Sequence, residues 1–564
     1  MSLEPETQSP HIFGLWSAIG LGWLTLNVFG TLSFIIVVGL PAGGVPVILY
    51  GLYVQSHLAS RRKFGALSFF ASDRHVDSIG SNIAVICMVM TFAQCASRFS
   101  TADVLHSSRS AHLRPGGAYH YACFLIPLQY RRQIAYPLGW LNYLGWIFTH
   151  AGACAIVATL TLGLVKLCNP EIDISPRWKL FVVYISINFL CWLFNLVAVR
   201  GIPTLELLGC YATAFGFVAY TIALLVKAPK ADSSSVFTQV NDETGFHSHG
   251  FAILLGLVNS FGTMMGLDGP AHLAEELPRP KVLLPRIMMI IVLSQFLVGL
   301  VWIIVLGFSI TDVSAITSSA TGVPVLEIIR LGTGSNAAAI VFCLILIINN
   351  ATSALGSAVT MSRQGYAFAR DGGLFWNAQL AKRCLNSNLP FWSITLPSLI
   401  CALVGLIYLL SSSAYNAFVG SQVTCMIISF GSPALILLIT RGQLLPECDR
   451  WNFGAWSTPI YLISALYSIL VVVVSVLPQS HPVTTSNMNY TALVMGCLAL
   501  AMTLAWMFEG RRLFSPPTND DVLAGIVPTL SGIEPDPEAG EEKASSLTKR
   551  PELGKEVFIT PITL

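Results

Sequence analysis

The chain has 564 residues, of which 11% are charged and 54% hydrophobic, with a formal net charge of +2; mean hydropathy is +0.68. That is too little charge to coat a soluble protein of this length, and the basic residues are scattered over short loops, not gathered into the face a nucleic acid needs. Apolar runs of about 20 residues, the length that crosses a bilayer, recur along nearly the whole chain. The expected fold class is an all-α polytopic membrane protein of about 12 transmembrane helices, with the lipid bilayer as its solvent and no nucleic acid as a partner.

Residues 1–12 precede the first apolar run. The first span, 13–40, contains Ser17-Ala18-Ile19-Gly20-Leu21-Gly22-Trp23, with two glycines near mid-membrane. The second span is irregular. An apolar run over 45–54 is interrupted by Arg61, Arg62, Lys63, Asp73, Arg74 and Asp77, and apolar character resumes at 79–96. A charge at the bilayer centre costs about 2.5–3.5 kcal/mol on insertion scales, so 61–77 should lie outside the hydrocarbon. Either 79–96 is the true span, or the irregular stretch, about 52–114, comes from an unremoved intron. Further spans are expected at 138–165, 178–199, 205–226, 251–267, 287–310, 337–361, 392–410, 414–439, 459–476 and 490–508.

The transporter domain thus covers 13–510, and the polar stretch 511–564, rich in Pro, Glu and Ser, reads as a disordered tail. Asn489-Tyr490-Thr491 is a glycosylation sequon at a span boundary, which makes Asn489 a candidate acceptor. The 13 cysteines, such as Cys191, Cys343 and Cys401, lie in apolar segments without metal-ligand or disulfide spacing and read as packing residues.

Orientation follows the excess of Lys and Arg in short cytoplasmic loops. With the N-terminus inside, the inner loops hold Arg131, Arg132, Arg279, Lys281, Arg286, Arg363, Arg370, Lys382, Arg383, Arg441, Arg450, Arg511 and Arg512. The outer loops hold fewer, chiefly Arg177, Lys179, Lys230 and Arg330. Both termini are therefore expected in the cytoplasm.

The sixth span carries Gly262-Thr263-Met264-Met265-Gly266-Leu267-Asp268-Gly269-Pro270, a run rich in helix breakers. Irregular backbone at membrane depth survives only where protein buries it or a cavity lines it. Interrupted segments at corresponding places in two halves point to a transporter's binding site. Spans one and six stand five apart, as in a 5+5 inverted repeat with two added helices. The competing explanation for the glycines is close helix packing.

The expected chemistry puts a substrate carboxylate on the amides of Ile19, Gly20, Leu21, Gly22 and Trp23, at the positive end of a half-helix. Carbonyls around Ser260, Phe261, Gly262 and Thr263 would accept from an ammonium group. Asp268 is either a cation partner, a proton-sensitive gate, or a helix cap. Trp16, Trp23, Trp146, Tyr211 and Phe261 are the aromatic faces available to a quaternary ammonium. Asn27, Asn349 and Asn350 are expected to hydrogen-bond between helices.

Several strings together carry a family resemblance. They are Gly43-Gly44-Val45-Pro46 with Tyr50-Gly51; Asn241-Asp242-Glu243-Thr244-Gly245; Leu267-Asp268-Gly269-Pro270-Ala271-His272-Leu273-Ala274-Glu275-Glu276; Thr321-Gly322-Val323-Pro324; Phe368-Ala369-Arg370-Asp371-Gly372-Gly373-Leu374; Ser411-Ser412-Ser413-Ala414-Tyr415; and Asn487-Met488-Asn489-Tyr490. The chain resembles, over about 13–512, the fungal amino-acid/choline transporters of the amino acid–polyamine–organocation superfamily. The resemblance implies twelve helices and uptake of choline, γ-aminobutyrate, amino acids or related amines, driven by protons or membrane potential. It fails between 52 and 114, where the family has an ordinary second helix and an acidic Ala-Glu motif. Pro115-Gly116-Gly117-Ala118-Tyr119-His120 resembles the end of that motif, displaced by an insertion.

The sequence therefore points to a permease whose partner is a small amino acid or amine solute, in the plasma membrane or, alternatively, the vacuolar membrane. No phosphate-binding loop, metal-ligand cluster or nucleophile–base pair stands out, so neither a cofactor nor an enzymatic activity is expected. The alternatives are a nutrient sensor built on a transporter fold and the nonfunctional product of a misread gene.

Overall fold

The computed structural model describes residues 14–40, 42–52, 81–99, 117–242, 244–246, 248, 250–252, 254–255, 262–263, 265–277, 279–383, 389–448, 450–485 and 487–516. Ten helices among them are long and apolar enough to cross a bilayer, and Ile83–Phe99 is a shorter apolar one. That helix takes the second place in chain order. The segment ending in the 3-10 turn Gly269–Glu276 takes the sixth, which gives the twelve-span order. Strand structure among the described residues is a single antiparallel bridge, Ala42–Gly43 against Asn241–Asp242.

The outer faces of the spans are apolar and uncovered. Phe215 and Val218 of the fifth span, Leu297 of the seventh, Leu403 of the ninth and Leu500 of the twelfth all point outward. In water such a surface would aggregate, whereas in lipid it is the matching face.

Pairs of features five spans apart relate the two halves. Spans three and eight, Leu128–Cys168 and Asn336–Arg370, are the longest helices at 41 and 35 residues, and they pack along each other. Each follows a short helix, Ala118–Leu125 and Pro324–Thr333 respectively. Spans one and six are the interrupted pair.

Lipid tails are as apolar as leucine, so association between spans relies on close packing and on polar contacts worth about 0.6 kcal/mol each. Asn27 Nδ2 donates to Asn350 Oδ1 at 3.0 Å, and Asn349 Nδ2 donates to Thr213 Oγ1 at 2.9 Å. All three asparagines expected to bridge helices therefore do so or contribute to a bridge. Asn188 links His150 Nε2 at 3.1 Å to the Ser398 carbonyl at 3.0 Å. Phe29, Phe217, Trp302 and Phe342 form an aromatic cluster beside the first span, and Trp302 Nε1 donates to Ser33 Oγ at 2.9 Å.

The first span breaks somewhere other than its sequence suggests. Leu15–Leu26 is continuous helix, so the backbone of Ile19 to Trp23 is wound. The interruption falls at Asn27, with φ 47° and ψ 47°, and a new helix, Val28–Gly39, starts there. Asparagine tolerates the left-handed conformation because its amide can bond locally; here Asn27 Oδ1 accepts from Gly30 N at 3.2 Å. The glycine pair serves close packing instead.

The second span contributes Gly44–Leu52 and Ser81–Phe99. Residues 61–77 lie outside the described residues. The boundary at Arg511 also moves. Arg511–Leu513 is helical and Phe514 is fully buried against Tyr136 and Phe368. Arg132 Nε donates to the Phe514 carbonyl at 2.8 Å, and Ser515 N donates to the Asp371 carbonyl at 2.8 Å. One aromatic anchor, one side-chain hydrogen bond and one backbone hydrogen bond thus hold the start of a stretch whose composition alone reads as disordered. The tail from 517 onward lies outside the described residues.

Candidate functional site

The two interruptions meet at the centre of the bundle. Gly266 in the sixth span has φ +93°, and a Cβ there would lie 2.8 Å from the Thr25 carbonyl oxygen, in the last turn before the first break. Only a residue without a side chain allows this contact. Two residues on, Asp268 is fully buried. Its Oδ2 accepts from Asn142 Nδ2 of the third span at 2.9 Å and lies 3.0 Å from His272 Nε2. Asp268 stands at the N-cap position of the 3-10 turn that follows it, and its side chain makes no cap hydrogen bond there. Trp146, also fully buried, meets His272 edge-on at 5.9 Å between ring centroids.

This junction is rich in polar atoms left without a protein partner. Asp268 Oδ1, Asn142 Oδ1, Trp146 Nε1, His272 Nδ1, Asn349 Oδ1 and Gln295 Oε1 are all buried and unbonded. Buried polar groups are almost always satisfied, so a concentration of exceptions marks a place built for another molecule or for water. Gln295 Nε2 donates to the Trp23 carbonyl, which ties the seventh span to the end of the Leu15–Leu26 helix. Among the described residues, no Lys or Arg forms an ion pair with Asp268.

The expected site residues fare differently. A Cβ on Gly22 would lie 2.4 Å from Ile291 Cδ1 and 2.6 Å from Pro270 Cγ. Gly22 therefore lets the seventh span and the sixth break approach. Gly20 faces the backbone of Glu206 and Leu207 in the fifth span. The amides of Ile19 to Trp23 belong to an unbroken helix, so the orphan amides of a half-helix start lie after Asn27, beginning with Val28 and Phe29. Gly262 and buried Thr263 belong to the sixth segment, while Ser260 and Phe261 fall outside the described residues. Of the aromatics, Trp146 joins the site and Trp23 is buried next to it, whereas Trp16 and Tyr211 face outward.

Asn142, His272 and Thr25 join the site without having been singled out. The signal for Asn142 was present, since it is a lone amide within an apolar helix. The proximity of Thr25 to Gly266 had no sequence signature.

A second polar cluster adjoins the junction through His272. Gly117, at φ +72°, lies against the His272 ring, where a Cβ would come within 2.2 Å of Cε1. In the helix it starts, Tyr119 Oη donates to Asp371 Oδ2, and His120 Nε2 lies 2.7 Å from the same oxygen. The Gly117–His120 and Phe368–Leu374 strings, far apart in sequence, thus meet beside the site.

A family profile described as amino acid permease matches residues 47–498. The chain belongs to the amino acid permease family. The permease is 26% identical over 518 residues to a choline transporter of Saccharomyces cerevisiae, covering 91% of this chain and 84% of that one. It is 25% identical to a 7-keto 8-aminopelargonic acid transporter of the same yeast, over 87% of this chain and 91% of the relative. A polyamine transporter of that yeast is 27% identical over 72% of the permease and 67% of its own length. The permease is accordingly a multi-pass membrane protein.

Proposed function

We propose that this permease is a secondary active transporter that imports a small amino acid or amine, such as choline, γ-aminobutyrate or an amino acid. The driving force is the proton gradient or the membrane potential, the membrane is the plasma membrane, and both termini are cytoplasmic. The observation that carries the reading is Asp268, fully buried where two interrupted spans meet, with Oδ1 unbonded and, among the described residues, no Lys or Arg paired with it, its Oδ2 lying beside His272. A carboxylate at membrane depth calls for a cation. The solute's amino or quaternary ammonium group supplies it, with the Trp146 ring as an adjoining face. A carboxylate on the solute, where there is one, docks on the amides that start Val28–Gly39, at the positive end of that half-helix. The named solutes of the relatives, choline and polyamines among them, support this assignment by their shared positive charge.

The test is competition uptake over choline, γ-aminobutyrate, putrescine and a panel of amino acids, in cells lacking their own carriers, for wild type and Asp268→Asn. Removing one partner of a buried charge pair costs about 2–5 kcal/mol. Half-saturation for a purely cationic solute should therefore rise at least about thirtyfold in Asp268→Asn. A zwitterion, held at both ends, should lose less. Absence of uptake across the panel in well-expressed wild type would favour a sensor over a carrier. Unchanged kinetics in Asp268→Asn would remove Asp268 from the site.

A further inference from the structure

The start of the third span, Leu128–Cys168, and the end of the twelfth, Thr491–Leu513, lie side by side. Between them is a cleft of about 340 Å³ lined by Arg132, Gln133, Trp506, Met507 and Arg511. Tyr136 brings the two helices together. A Cβ on Gly510 would come 2.7 Å from its ring, and Trp506 packs on that ring at 5.0 Å between centroids. The twelfth helix widens there into a π turn, Trp506–Gly510, a distortion frequent at functional sites.

The cleft carries positive charge that the protein does not neutralise. Arg132 spends two of its five N–H groups on backbone carbonyls, Nε on Phe514 at 2.8 Å and Nη2 on Arg511 at 2.9 Å. The Arg511 guanidinium donates to no described residue. Neither arginine pairs with a carboxylate among the described residues, and Glu509 of the same turn makes no ion pair there. Around this charge the surface is apolar: Leu128, Ile134, Phe508 and Leu513 are all exposed. The depth is also defined. From Thr491 to Arg511 a helix rising about 1.5 Å per residue covers about 30 Å, the thickness of the hydrocarbon core, so Arg511 emerges at headgroup level.

We propose that this cleft binds an anionic phospholipid, its phosphate on Arg132 and Arg511 and its acyl chains along Met507 and Phe508. The inference rests on the orientation given above, which puts this end in the cytoplasmic leaflet, where anionic lipids attract basic side chains. A guanidinium fork matches the geometry of a phosphate. A free phosphate would answer the two arginines but not the exposed apolar side chains beside them; a lipid answers both.

Occupancy reaches the rest of the molecule through Arg511–Ser515. Arg132 holds this strap by two carbonyls, Ser515 N donates to the Asp371 carbonyl at 2.8 Å, and Gly372 packs on the Leu513 carbonyl. A headgroup between the spans removes the repulsion between Arg132 and Arg511 and steadies the brace against Asp371, the residue that also receives Tyr119 and His120.

The experiment uses the full chain in detergent micelles doped equally with phosphatidylcholine, phosphatidylserine and phosphatidylinositol 4-phosphate, with retained lipid counted by native mass spectrometry. With about fivefold per basic residue, wild type should favour the anionic lipids by at least about tenfold, and Arg511→Gln should cut that preference about fivefold. Equal retention of the three lipids by wild type, or an unchanged preference in Arg511→Gln, overturns the assignment. Soluble glycerophosphoserine at the same concentration should not displace the lipid. Displacement as effective as that by phosphatidylserine would make the ligand a free phosphate and overturn it too. Should Arg511→Gln prove unstable, wild type alone decides: a preference that survives about 0.5 M salt is not electrostatic and refutes the role of the arginines. Retention requires neither uptake nor a sided membrane, so its failure leaves the transport reading standing.

Discussion

Alanine at Gly266 is the sharpest single test of the junction between the two interrupted spans. The residue has φ +93°, and a methyl group there would lie 2.8 Å from Thr25 O and 3.1 Å from Thr25 C. Both atoms are backbone, so no rotamer change relieves the clash. The left-handed backbone costs an L-residue about 1–2 kcal/mol, and overpacking in a tight interior adds about 1–3 kcal/mol. Together these give about 2–5 kcal/mol, which is relieved only by moving the first break away from the sixth. That displaces Asp268 from Thr25 and from the amides after Asn27. Since about 1.4 kcal/mol is a tenfold change, uptake efficiency should fall by at least about thirtyfold. The assay is initial uptake rate against solute concentration, normalised to surface abundance by a fluorescent tag, with detergent thermostability measured in parallel. Gly20→Ala is the control, because its Cβ would meet nothing closer than 3.5 Å, an ordinary contact, and its uptake should stay within twofold. Wild-type uptake and stability in Gly266→Ala would show that the two breaks do not meet as described.

Further expectations follow from neighbouring features. Gly22→Val should abolish uptake, because its Cβ would sit 2.4 Å from Ile291 and 2.6 Å from Pro270; normal uptake would sink the packing role given to Gly22. A cysteine replacing Lys281 should escape an impermeant maleimide in intact cells, and ready labelling from outside would reverse the orientation. Deleting 53–80 should leave membrane insertion intact, since the buried Val47, Ile48, Met88 and Phe92 lie in the retained helices; loss of protein from the membrane fraction would show the segment is needed. Endoglycosidase should not shift the protein's mobility through Asn489, whose Nδ2 is committed to the carbonyls of Ser475 at 2.8 Å and Leu477 at 2.9 Å. A shift that disappears in Asn489→Gln would show that this brace opens.

Fold class and span order were legible because lipid imposes a blunt rule. Every backbone polar group must be satisfied within the span, so length and apolarity alone mark the helices. Asp268 was legible too, as a carboxylate beside a cluster of helix breakers. The location of the first break was not. Gly20 and Gly22 advertise backbone freedom, but Leu15–Leu26 uses them to bring the fifth, sixth and seventh spans close, and the helix breaks at Asn27. A glycine in sequence states only that a side chain is missing; whether the chain turns there or a neighbour fills the space depends on what packs against it. The same holds for Phe514, whose place between Tyr136 and Phe368 no local composition reveals, and for Glu206, Gly356 and Thr25, which converge from three spans. Contacts between residues more than a hundred positions apart arise from the packing angles of whole helices, and only the tertiary structure decides those.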